Sequence, residues 1–194
     1  MSDTEIAAAP VLIPLTVVAL GVVIGCLRRH ELLTAPRAVT GVLACLCGAA
    51  VLNYTLFPFT LFAREGLPWH TWLNLTPFTD IVDDPIGLVL NTALFVPVGF
   101  LLPLVVRVPS AGRALLYGVS VSLVIEIVQF VADLAVGLGR VFDVDDLITN
   151  AVGALIGHVV FRLAVLVPAL ARVATVASWR TYPARSRQEA RELS

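Results

Sequence analysis

Carboxylate and amide side chains lie within and between two apolar segments in the C-terminal half of the chain. Glu126 and Gln129 lie inside the first segment, and Asn150 lies just inside the second. The connection between the segments carries an arginine and three aspartates: Arg140, Asp143, Asp145 and Asp146. Carboxylates can exchange protons, bind cations through oxygen or bind a polar headgroup. Because a charged group at the centre of a membrane helix costs about 2.5–3.5 kcal/mol, these residues require a partner or a function.

Glu126 has a functional and a structural interpretation. In the functional one, it handles a proton or binds a headgroup, as ionisable residues within membranes commonly do. In the structural one, it makes a hydrogen bond between two helices. Its charge is also open, because it could be ionised and paired with Arg140 or protonated within the membrane. The functional interpretation is favoured.

The three aspartates Asp143, Asp145 and Asp146 also have two interpretations. Together with Asp133 they could bind a divalent cation through oxygen ligands. Alternatively, Asp143 or Asp145 caps the helix that follows, and the other carboxylates favour the positive N-terminal end of that helix. Capping is the better account of any single aspartate, so the metal site is the minority hypothesis and no cofactor is predicted.

The composition indicates the kind of element that holds these residues. The chain has 194 residues, of which 58% are hydrophobic and 14% are charged, and its mean hydropathy is +0.92. Soluble domains carry about 25% charged residues, so the composition predicts an all-α integral membrane protein. A net charge of −1 and the lack of a basic, aromatic-rich patch give no support for a nucleic-acid partner. Five apolar segments approach or exceed the ~20 residues that a spanning helix needs, namely 6–27, 38–63, 86–106, 114–132 and 147–171.

The arginines predict how this five-helix bundle is oriented. Ten of them fall on one side of the predicted spans, and only Arg64 and Arg140 fall on the other. The positive-inside rule then places the N-terminus outside and the C-terminus in the cytoplasm. We expect three parts: a first helix with a basic cytoplasmic link (1–37), a main membrane domain (38–171) and an arginine-rich cytoplasmic tail (172–194).

This topology places polar residues from separate spans at one depth. Glu126 lies about 9 Å inside the outer end of the fourth span, at about 1.5 Å per residue. Asn91, Gln129 and Asn150 fall in the same outer third of the membrane. The sequence therefore predicts a polar pocket that opens to the external face, below the acidic connection and Arg140.

The inner half of the fifth span carries a second set of distinctive residues. His158 and Arg162 are four residues apart and share a helix face. His158 could relay protons, although a hydrogen-bonded packing histidine is the favoured interpretation. Gly153 and Gly157 form a small-residue face, which predicts a contact with the fourth span.

Three blocks of the chain resemble the VanZ-like family of small bacterial membrane proteins. The first block is 74–78 (NLTPF), the second is 91–103, and the third is 122–157. The third block contains Glu126 and Gln129 as E-x-x-Q, the segment RVFDVDD, and then Asn150. Together they cover roughly residues 50 to 165.

The resemblance implies a multi-pass protein of the bacterial cell membrane. The named member of the family is associated with low-level resistance to the glycopeptide teicoplanin, and no catalytic residue carries over. The motif positions are transferred as a candidate site. This adds Asn74 to the polar residues that the topology places in the outer third of the membrane. The complete candidate site is Asn74, Asn91, Glu126, Gln129, Arg140, Asp143, Asp145, Asp146 and Asn150.

Three functions are compatible with these residues. The favoured one is a non-enzymatic envelope protein that binds membrane lipid, a lipid headgroup or a cell-wall precursor. The second is an intramembrane enzyme on a lipid-linked substrate, with Glu126 as general acid or base and the aspartates orienting phosphate. The third is a small proton-coupled transporter that uses Glu126 and His158. The sequence does not predict the oligomeric state.

Overall fold

The computed structural model describes residues 4–57, 59–61, 73–136 and 142–179. Within these ranges the chain forms seven helices and four short strands. In chain order they are β1 (Thr4–Ile6), α1 (Ala9–Arg29), α2 (Ala35–Leu56), β2 (Phe59–Leu61), β3 (Leu73–Asn74), α3 (Asp80–Asp83), α4 (Pro85–Val105), α5 (Ala111–Val136), β4 (Phe142–Asp143), α6 (Val144–Ala164) and α7 (Pro168–Ala177).

Five helices in the described part of the chain are long and apolar enough to cross a membrane: α1, α2, α4, α5 and α6. This confirms the five predicted spans. Large apolar side chains cover their outer surfaces, and Val17 and Val18 of α1 are each 63% exposed. Such exposure would be costly in water and is expected where helices face lipid.

The helices α4 and α6 pack backbone against backbone through glycine. A Cβ atom on Gly157 would collide with the carbonyl oxygen of Val96, and one on Gly153 would collide with the carbonyl oxygen of Thr92. Gly99 of α4 in turn lies against the backbone of Ala154. The predicted contact of Gly153 and Gly157 with the fourth span is therefore wrong, because both glycines face the third.

The contact between α5 and α6 uses a different glycine. Gly118 of α5 lies opposite Ala151 and Ala154, so small residues line this second face of α6 as well. Phe95 of α4 is completely buried and belongs to a core cluster with Val51, Ile125 and Ala154. The helix α6 is thus packed between α4 and α5.

Two predicted helix boundaries differ from the structure. The second apolar segment runs to residue 63, whereas α2 ends at Leu56 and Phe57 is extended, just before Pro58. Phe57 precedes a proline, and this position disfavours helical backbone. The fifth span was expected to run unbroken to residue 171, but α6 ends at Ala164 and α7 begins at Pro168. Proline cannot continue a helix, although it suits the first position of a new one.

Strand pairing and hydrogen bonds show which helix ends lie together. At one end, which we call the polar end, β1 pairs with β2 in antiparallel fashion and β3 pairs with β4 in parallel, with Asn74 opposite Asp143. The polar end holds the N-termini of α1, α4 and α6 and the C-termini of α2 and α5.

The opposite end, which we call the arginine end, holds the α1–α2 and α4–α5 links and α7. The Trp179 N–H donates to the Leu104 carbonyl at 2.8 Å, and the Arg37 Nε donates to the Ser178 carbonyl at 2.8 Å. This alternation of ends agrees with five crossings. The orientation in the membrane, with the polar end outside, stays a prediction from the arginine distribution.

Candidate functional site

The N-terminus of α6 is capped by an aspartate from the acidic connection. Asp143 is the N-cap residue, and its Oδ1 accepts a hydrogen bond from the Asp145 N–H at 2.7 Å. Asp145 and Asp146 occupy the first turn, where carboxylates favour the positive end of the helix dipole. The capping interpretation therefore accounts for Asp143.

The remaining hydrogen bonds of Asp143, Asp145 and Asp146 attach other segments of the chain to the start of α6. In the described ranges, no group of three or more His, Cys, Asp or Glu side chains is arranged to hold a metal ion. The four aspartates proposed for the minority metal site, Asp133, Asp143, Asp145 and Asp146, do not form such a group.

The 74–78 segment is attached to the start of α6 by side-chain hydrogen bonds. Asn74 Nδ2 donates to Asp143 Oδ2 at 2.7 Å and to Thr79 Oγ1 at 2.9 Å. The Phe78 N–H donates to Asp145 Oδ1 at 2.6 Å. Phe78 has a φ of 70°, a conformation that is uncommon for a bulky residue. The NLTPF block is thus joined to the DVDD block, although they lie far apart in sequence.

Glu126 lies at the centre of this arrangement and is only 1% exposed. Its Oε2 accepts a hydrogen bond from the Asp143 N–H at 3.2 Å. The Asp146 carboxyl group lies close enough to interact with it. Asp146 also accepts a hydrogen bond from Asn91 Nδ2. These contacts link α4, α5 and α6 within one polar network.

Two further amides lie on either side of this network. Asn150 Nδ2 donates to Ser122 Oγ at 2.9 Å, and Gln129 Nε2 donates to the Thr55 carbonyl at 2.6 Å. The oxygens Asn150 Oδ1 and Gln129 Oε1 are buried, and no hydrogen-bond donor reaches them within the described parts of the chain. A buried acceptor without a donor costs about 1–3 kcal/mol, so a donor supplied by a ligand would be favourable at either position.

Ser122 is a site residue that the sequence analysis did not single out. It is completely buried and lies four residues before Glu126 on the same helix face. The spacing of Ser122, Glu126, Gln129 and Asp133 was a detectable signal, because these residues form one polar stripe along an otherwise apolar helix.

The structure brings together most of the residues that the sequence proposed. Asn74, Asn91, Glu126, Asp143, Asp145 and Asp146 belong to the network around the start of α6, with Asn150 and Gln129 nearby in α6 and α5. Arg140 lies outside the described residues, and so does its proposed pairing with Glu126.

The site is more enclosed than expected. Asn91, Glu126, Gln129, Asp145 and Asn150 are each 7% exposed or less. The described side chains thus form a packed network, and a pocket that opens to the external face stays a prediction. Chemically the network is rich in acceptor oxygens, so it suits hydroxyl, amide or ammonium donors better than anions.

An apolar groove lies between three of the spanning helices. Its volume is about 560 Å³, and it is lined by α2, α4 and α5. Val51 and Ile125 belong to its lining; Ile125 adjoins Glu126, and Val51 lies one turn before Thr55. Lining residues farther along include Val98, Leu102 and Val105. The groove has the dimensions and character of a place for a hydrocarbon chain.

A family model described as VanZ/LLP1 matches residues 41–166, from the first turns of α2 to just beyond α6. This range contains every candidate site residue, whereas α1 and α7 lie outside it. Searches of curated proteins and of solved structures found no match.

Proposed function

The chain belongs to the VanZ/LLP1 family of membrane proteins, and from this membership we propose that it is a bacterial cell-membrane protein that binds an envelope lipid or lipid-linked cell-wall precursor. Binding takes place at the polar end, through the headgroup. The network around Glu126 accepts hydrogen bonds from that headgroup, and the adjoining groove holds its hydrocarbon chain.

The observation that carries this proposal is the pair of buried acceptors Asn150 Oδ1 and Gln129 Oε1, which have no donor among the described residues. Gln129 lies one turn after Glu126 on α5, and Asn150 bonds to Ser122, one turn before it. A buried acceptor without a donor lowers the stability of the protein. A ligand that donates a hydrogen bond to it offsets this loss. Ammonium groups and sugar hydroxyl or amide groups are such donors, and all occur on envelope lipids.

The groove supports a ligand that is a lipid and not a soluble molecule. It extends from Ile125, the sequence neighbour of Glu126, toward Val105, and we place the hydrocarbon chain of the bound lipid there. The teicoplanin association of the family makes a lipid-linked cell-wall precursor the first ligand to test.

Native mass spectrometry of the detergent-solubilised full chain tests this proposal. The probes are phosphatidylethanolamine and an undecaprenyl-linked disaccharide peptide, each titrated against wild type, Glu126→Gln and Asn150→Ala. We expect binding of at least one probe to weaken roughly tenfold in both variants, since Glu126→Gln replaces the carboxyl group and Asn150→Ala removes a buried acceptor.

Asn53→Ala is the matched control, because Asn53 is an exposed amide near the same end of the bundle. Its probe binding should equal that of wild type. Binding that is unchanged in Glu126→Gln and Asn150→Ala would refute the proposed site. In a host that expresses the protein at matched membrane levels, a protective effect against teicoplanin should be lost in Glu126→Gln.

A second function, catalysis on the lipid-linked substrate, is favoured by one contact. Glu126 lies beside Asp146, and carboxyl groups in unequal environments are the arrangement that general acid–base chemistry uses. Glu126 would take a proton from, or give one to, the reacting group. Incubation of purified protein with a radiolabelled precursor should then yield a product that Glu126→Gln does not form. The absence of product from wild type would leave binding as the function.

A further inference from the structure

A second polar site lies at the arginine end, away from Glu126 and its network. The α6 helix ends at Ala164 and α7 begins at Pro168. The end of α7 is hydrogen-bonded to the first turns of α2. A cavity of about 380 Å³ lies between the C-terminal ends of α4 and α6 and one face of α7. We call it the α6–α7 cavity; His158, Arg162, Phe161, Leu104, Val108 and Ala174 are among its lining residues.

His158 is an unusual residue to find in the wall of this cavity. It is 3% exposed, and its Nδ1 has no hydrogen-bond partner among the residues that the structure describes. Buried imidazoles normally have their ring nitrogens paired, because an unpaired polar atom loses its hydration without compensation. Because His158 lines the cavity, a ligand bound there can supply the missing partner.

Arg162 adds a positive charge to the same wall. It lies one turn after His158 on α6, lines the cavity and remains exposed. A guanidinium group presents a planar set of donors that matches two oxygens of a phosphate, and an imidazole N–H can donate to a third. A donor pair of this kind binds an anion, in contrast to the acceptor-rich network at the polar end.

The position of α7 places this cavity at the level of lipid headgroups. The C-terminal end of α7 is held to α2, where Thr40 Oγ1 donates to the Ala177 carbonyl at 3.0 Å. Its outward face carries the exposed apolar residues Leu170, Val173 and Val176 at helical spacing. A short helix with such a face lies in the interface between hydrocarbon and water.

We propose that the α6–α7 cavity binds the phosphate group of an anionic glycerophospholipid through Arg162 and His158. The apolar wall contributed by Leu104 and Val108 contacts the glycerol and first methylene groups. The arginine distribution predicts that this end faces the cytoplasm, where anionic lipids attract basic residues between transmembrane helices. This site does not depend on the function proposed for the polar end.

Lipid retention by the detergent-solubilised full chain tests the proposal. Native mass spectrometry would compare phosphatidylglycerol, diacylglycerol with the same chains, and inorganic phosphate. Wild type should retain phosphatidylglycerol and not diacylglycerol, because only the former carries the phosphate. Inorganic phosphate should compete poorly, since it lacks the apolar contacts.

Variants identify the residues responsible. Arg162→Gln should weaken phosphatidylglycerol retention roughly tenfold or more, and His158→Gln should weaken it less, in line with the greater strength of charge-assisted hydrogen bonds. Arg162 is exposed, so its variant tests the site even if His158→Gln fails to fold. Arg113→Gln, at an exposed arginine on the same end, is the control and should match wild type.

Three results would overturn the proposal. These are equal retention of diacylglycerol, retention of phosphatidylglycerol that is unchanged in Arg162→Gln, and displacement of the lipid by inorganic phosphate at equal concentration. The first would show that only the chains are recognised, the second that the lipid binds elsewhere, and the third that the ligand is a free anion.

Discussion

The backbone N–H of Asp143 donates a hydrogen bond to Oε2 of Glu126, 3.2 Å away. This bond joins the residue that caps α6 to the middle of the polar stripe on α5. Glu126 therefore has a structural partner in addition to any ligand. Variants at this position must separate the loss of an acceptor for the Asp143 N–H from the loss of the carboxyl group.

Glu126→Gln and Glu126→Ala make that separation. Glutamine keeps an acceptor oxygen for the Asp143 N–H, so we expect the free energy of unfolding to change by less than about 1 kcal/mol. Alanine leaves the N–H without its acceptor and should cost about 1–3 kcal/mol. Thermal unfolding of the purified variants in detergent measures the difference. Equal destabilisation by both substitutions would show that the carboxyl group itself, and not an acceptor for the Asp143 N–H, maintains the fold.

The bond between Asn74 and Asp143 can be measured by a double-mutant cycle. Asp143→Ser keeps a good N-cap hydroxyl for α6 but removes the second oxygen that accepts from Asn74. Combined with Asn74→Ala, it should show a coupling energy of about 0.5–1.5 kcal/mol. Additive effects in unfolding experiments would mean that the 74–78 segment is not held to α6 through this bond.

Gly157→Ala should disrupt the packing of α4 against α6. The added methyl group would collide with the backbone of Val96 and Phe100, which cannot rotate away as a side chain could. We expect a loss of about 1–3 kcal/mol in the free energy of unfolding. Gly25→Ala is the control, because a Cβ atom at Gly25 meets nothing within 4 Å. A Gly157 variant as stable as this control would contradict the α4–α6 contact.

The orientation of the bundle can be tested with single cysteines. Thr76 and Ser110 are both exposed and lie at opposite ends. With the native Cys26, Cys45 and Cys47 replaced by serine, Thr76→Cys should react with a membrane-impermeant maleimide on intact cells. Ser110→Cys should react only after the cells are permeabilised. The reverse pattern would invert the topology and place the acceptor-rich network on the cytoplasmic side of the membrane.

Part of this architecture could be read from the linear sequence. Length and hydropathy predicted the five spans, because the cost of burying charge in lipid acts on each segment separately. The same spans placed Asn91, Glu126 and Asn150 at one depth, and the structure brings these residues to one end of the bundle. The motif resemblance also predicted the family that the comparison confirms.

Other features were decided only by the tertiary structure. Lipid chains are as apolar as leucine, so hydrophobic pattern does not select which helices touch; the close fit of small residues does. That fit places Gly157 against Val96 of α4 and not against α5. The partner of each polar side chain depends on the same packing, as does the enclosure of Glu126 and Asn150. The sequence alone determined which polar residues lie within the spans and at what depth. Helix packing determined which side chains and backbone groups each of them contacts.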